Sequence, residues 1–155
     1  MLIPLLTAIH VTIVVLWIGG VAFVTIVIFP MLLKMEDSLE KVLMFQRVES
    51  VFARHARYYA VLAGVTGFLL LYLKGMHTLL FTRYTIGISI MLIVWTFYSL
   101  VLIFEKRVFK IVFSDARKFD AEKIFASLTR FHWIILGASL AAVFFGVFAG
   151  HGGMF

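Results

Sequence analysis

Histidines at positions 10, 55, 77, 132 and 151 are the side chains of this chain best suited to chemistry. Cysteine is absent, which excludes disulfides, Cys-bound iron–sulfur clusters, thiolate-ligated haem and covalent c-type haem attachment. Imidazole is then the natural ligand for a haem iron or a transition metal. The spacing sorts the five into two layers. His10 stands 20 residues from Pro30, His77 20 from Arg57 and His151 20 from Phe131. Twenty helical residues rise about 30 Å, the thickness of a bilayer core. If Pro30, Arg57 and Phe131 mark one membrane boundary, His55 and His132 lie at it and the other three at the opposite one. Two layers of imidazoles predict two b-type haems with axial His ligands. His55 and His132 would serve the inner haem, and His10 with His77 or His151 the outer.

Cations and gaps accompany these layers. Arg54, Arg57 and Arg130 lie beside the inner pair, and Arg83 and Lys74 lie near the outer set. Such cations hold haem propionates through charge-assisted hydrogen bonds. Gly20, Gly64 and Gly67, with Gly19, Gly87, Gly137 and Gly146, supply the small residues that let a flat ring approach a helix backbone. No carboxylate pair, nucleophile triad or phosphate-binding loop falls within the apolar segments, so no catalytic residue is assigned. The tail His151-Gly152-Gly153-Met154-Phe155 pairs a His with a Met, a combination that suits copper and keeps copper as an alternative cofactor.

The elements that must carry these residues follow from composition. The chain has 155 residues, is 63% hydrophobic and has a mean hydropathy of +1.08, beyond what a soluble core can bury. All eight acidic residues lie in 34–57 or 105–130, and only Lys74 and Arg83 of the 14 Lys and Arg lie outside those stretches. Four apolar segments separate the charges, with spans expected at 2–33, 51–74, 84–106 and 121–150 in a single domain. The reading is an all-α, up-down-up-down four-helix membrane bundle. The linker around Gly75 is short and makes spans two and three antiparallel neighbours. Asp120 is the expected N-cap of the last helix, ahead of Ile124, Phe125, Leu128 and Phe131 at helical spacing. The strong basic bias places 34–57 and 105–130 in the cytoplasm and both termini outside, in a prokaryotic cytoplasmic membrane. The N-terminus lacks a basic leader segment and reads as an uncleaved span. The net charge of +6 therefore reflects topology and does not call for nucleic acid. Glycine-rich faces predict homo-oligomers, and the expected partners are lipid, a quinone or a redox protein.

His10-Val-Thr-Ile-Val-Val-Leu-Trp17-Ile-Gly19-Gly20, followed by Phe29-Pro30, resembles the first helix of the CopD-like membrane proteins and the related HemJ-type protoporphyrinogen oxidases. Thr66-Gly67 in the second span is similar to the same group. The resemblance covers about half the chain. It implies a small four-helix membrane protein with His10 as a ligand. The HemJ-type branch implies haem b and an oxidoreductase role, and the CopD-like branch implies copper or other cation transport. The HemJ-type pattern has a Lys early in the third helix. Here that stretch reads Arg83-Tyr84-Thr85-Ile86-Gly87, so the resemblance carries the superfamily and not the substrate. The leading expectation is a redox-active, di-haem membrane cytochrome.

Overall fold

The computed structural model describes residues 1–113 and 121–150. Apart from short turns, these residues are helical, and no strand occurs among them. The first rod is α1 (Leu2–Phe23), a π-helical turn (Val24–Ile28) and α2 (Phe29–Leu33) in continuous succession. Pro30 accounts for the break, because it has no N–H to continue the regular ladder. The Phe29 N–H reaches five residues back to the Val24 carbonyl, and the fully buried Thr25 hydroxyl donates to the Val21 carbonyl at 2.7 Å.

The chain then turns at Asp37. Its carboxylate accepts from the Leu39 and Glu40 N–H groups at 2.7 and 2.9 Å and starts α3 (Ser38–Leu73). This helix begins well before the span expected from residue 51. Hydropathy marks only its apolar part, whereas a good cap and no Gly or Pro before Gly64 let the helix start in the charged stretch. Gly75, at φ +65°, takes the left-handed turn that ends α3. Two short 3-10 turns, Met76–Leu79 and Arg83–Thr85, lead into α4 (Ile86–Phe113). The last helix, α5, runs Ala121–Gly150, and its expected cap Asp120 lies outside the described residues.

α1 packs mainly along α3, and α4 along α5; thinner seams of α3 with α4 and α1 with α5 close the ring. Each neighbouring pair is antiparallel, and α1 and α4 occupy opposite corners. One apolar cluster surrounds Trp17, Val21, Ala56 and Leu136; a second gathers Phe29, Leu32, Phe45 and Phe125. Glycines permit the closest approaches. A Cβ on Gly20 would meet the Phe52 ring at 2.7 Å, and one on Gly87 would strike the backbone of Gly146. Large apolar side chains such as Phe23, Ile26, Ile103 and Ile134 remain exposed. Four helical rods, Leu2–Leu33, Leu39–Leu73, Arg83–Phe104 and Glu122–Phe148, are each long and apolar enough to cross a membrane.

Candidate functional site

His10 lies on the wall of a cavity of about 420 Å³ that draws on all four rods. That volume is in the range of small-molecule and cofactor sites. Its lining is almost entirely apolar. Val11, Val15 and Phe68 line it while also being exposed on the outer face of the bundle.

The position of the His10 ring follows from α3. Nδ1 of His10 lies 2.8 Å from the Thr66 hydroxyl. That hydroxyl gives its own proton to the Leu62 carbonyl at 2.7 Å, with Ala63 O at 3.3 Å. With its proton on the Leu62 carbonyl, the Thr66 hydroxyl can accept from a His10 Nδ1–H. In that tautomer the ring would carry its lone pair on Nε2. One residue on, Gly67 leaves the ring room: a Cβ there would sit 3.0 Å from His10 Cε1. Gly64 does the same for Trp95, whose ring would be 2.6 Å from an added Cβ. The Trp95 indole N–H is satisfied by the Ala60 carbonyl at 2.7 Å. Gly87 and Gly146 complete a glycine-lined wall, and Lys74 contributes a cation.

Trp17 is 3% exposed, packs edge-on against Tyr98 at 5.2 Å and also lines the cavity. Its Nε1 has no hydrogen-bond partner among the described residues. A buried donor left without an acceptor costs about 1–3 kcal/mol.

The other histidines stand apart from this cavity. His77 is exposed and stacks on Tyr72 with centroids 5.9 Å apart, and His151 lies outside the described residues. His132 is buried against Phe29 at 4.7 Å and Phe131 at 5.5 Å, with Nδ1 bonded to its own helix at the Leu128 carbonyl. His55 is exposed on α3, with Nδ1 bonded to the Val51 carbonyl and its ring 6.5 Å from Tyr59. Neither ring is in contact with the other among the described residues. Arg54, Arg57 and Arg130 are exposed, and Arg83 lies over Tyr84 at 5.5 Å. Lys74, not Arg83, is the cation on the cavity wall. Of the glycines read as packing residues, Gly64 and Gly67 line the cavity, whereas Gly20 serves the α1–α3 contact through Phe52.

Trp17 and Trp95 are cavity walls. Thr66 showed as a sequence pattern and not as the partner of His10. The cavity also holds two thioethers, Met76 and Met91, which no sequence motif singled out. Among the described residues no group of three or more His, Asp or Glu converges on a point where a bare metal ion could be held. No protein-family model, curated protein or solved structure matches this chain.

Proposed function

We propose that this chain is a b-type haem protein of a prokaryotic cytoplasmic membrane with a redox role. The supporting observation is His10: an imidazole hydrogen-bonded to Thr66 on the wall of an apolar, glycine-lined cavity. The residues fit the group. A haem brings its own ring of nitrogens and asks the protein for one or two axial ligands, which suits a site with a single imidazole among the described residues better than a bare cation would be suited. When bound, the haem would supply a one-electron iron couple. His10 Nε2 would hold the iron, Gly67 leaves room for the His10 ring and Gly64 for the Trp95 ring on the cavity wall, and Lys74 would face a propionate carboxylate. The unpartnered Trp17 indole also favours an occupied cavity. The resemblance of the first helix to CopD-like and HemJ-type proteins points the same way. A second haem on His55 and His132 has less support, because His55 faces outward.

The reduced-minus-oxidised spectrum of the purified protein tests the proposal. A b-type spectrum with roughly one haem per chain is expected. A colourless, folded protein from haem-replete cells would sink it.

Thr66 should matter through His10. Thr66→Val keeps the shape of the side chain but removes the acceptor, freeing the ring and its tautomer. Loss of such a supporting hydrogen bond lowers metal affinity by about 10–100-fold. Haem titration of the variant should show a fall in that range, and an unchanged affinity would mean the bond does not orient the ligand.

The same reading puts both termini outside, since the basic residues cluster at the other end. The chain has no native cysteine, so single replacements report topology cleanly. In intact cells an impermeant maleimide should label Thr78→Cys and spare Ser50→Cys. The reverse pattern would invert the orientation.

A further inference from the structure

A haem held by His10 has a second axial position, and the register of the helices indicates what faces it. Two interhelical hydrogen bonds fix the heights. His10 Nδ1 on the Thr66 hydroxyl sets position 10 of α1 level with position 66 of α3. Trp95 Nε1 on the Ala60 carbonyl, with the same ring against Gly64, sets position 95 of α4 level with 60–64 of α3. α3 and α4 run antiparallel. Four residues back from Trp95, at Met91, α4 therefore stands level with 64–68 of α3. That interval contains Thr66, and hence the height of His10.

The ring order supplies the other coordinate. α1 touches α3 and α5, α4 touches the same two, and α1 and α4 face each other across the bundle. His10 and Met91 thus stand on opposite corners at one height, and both line the cavity between. Met91 is half-buried and packed against the cluster around Trp17. The other side chains on the wall with a donor atom for iron lie elsewhere. Lys74 and Met76 come after the end of α3, about two turns of helix beyond Gly67. His77, one of the two partners expected from sequence, is exposed on Tyr72, and the other, His151, lies outside the described residues.

We propose that Met91 is the second axial ligand, its Sδ binding the iron opposite His10 Nε2 in a six-coordinate haem. The assignment rests on the haem reading of the cavity. A His/Met pair holds the iron at a higher reduction potential than two histidines do, because the thioether favours the reduced metal.

The test uses the full-length protein loaded with haemin in detergent. Ferric wild-type protein should be low-spin and show the near-infrared sulfur-to-iron charge-transfer band. Met91→Leu, which conserves volume, should lose that band and become high-spin while still binding haem through His10. Met91→His should return the protein to low spin without the sulfur band, at a lower midpoint potential. Met76→Leu should leave all of this unchanged. A Met91→Leu protein with the wild-type spectrum, or a wild type whose sulfur band disappears in Met76→Leu, overturns the assignment while leaving haem on His10 intact. A wild type that takes up no haemin overturns both.

Discussion

His10→Ala should leave the protein folded and without haem. Alanine is favourable in a helix, and the lost His10–Thr66 bond is worth only about 1 kcal/mol. The cavity wall keeps its glycines and its apolar lining, so the fold has little reason to fail. A haem iron would lose the one imidazole that the described residues place on the cavity wall. Bound haem per chain should fall from roughly one to near zero, read by the pyridine haemochrome assay beside a thermal melt. Imidazole added to the buffer fits the space vacated by the ring and should restore part of the spectrum. His55→Ala and His77→Ala should keep the haem, because both rings are exposed and bonded or stacked within their own segments. Retention of haem by His10→Ala, or its loss from His55→Ala, would move the site to the inner layer.

The largest stability effect is expected at Gly87. A methyl group there would overlap the backbone N and Cα of Gly146 and crowd the Ala142 carbonyl. Backbone cannot swing aside as a flexible side chain can, so α4 and α5 must separate along their main seam. Overpacking of this kind costs about 1–3 kcal/mol and at times more. The intrinsic gain of alanine over glycine in a helix is about 1 kcal/mol, so the clash wins. Gly87→Ala should lower the melting temperature, and Gly19→Ala, with nothing within 4 Å of its added Cβ, should not. Gly87 and Gly146 also line the cavity, so haem affinity should fall together with stability. Equal melting of the Gly87 and Gly19 variants would show that the helices do not approach this closely.

Height along a helix is legible in a sequence; direction around it is not. Four rods could be counted from hydropathy, and His10 stood out as the ionisable group in an apolar run. Both readings depend only on composition along the chain. His55 and His132 matched in height, yet each residue also turns about 100° around its axis. On α3 the buried face is taken by Ala53, Ala56 and Ala60, which leaves His55 on the other side. Only packing decides that. Thr66 and Met91 were hidden for a related reason. Each acquires its meaning from a residue on another helix, and the register that joins them comes from two side-chain hydrogen bonds that no linear pattern displays. The early start of α3 is not legible because a capped, charged helical segment carries no hydropathy signal.

Val11, Val15 and Phe68 belong both to the cavity wall and to the outer apolar face. Under the membrane reading proposed above that face would border acyl chains, and the void would exchange its contents with the lipid phase as its reservoir. The concentration that governs filling is then the one in the membrane, which for a greasy molecule far exceeds the aqueous value. Residence is set by partition between protein and lipid, and water contributes little. A detergent tail has the same way in, and occupancy in micelles therefore depends on the detergent as much as on the protein.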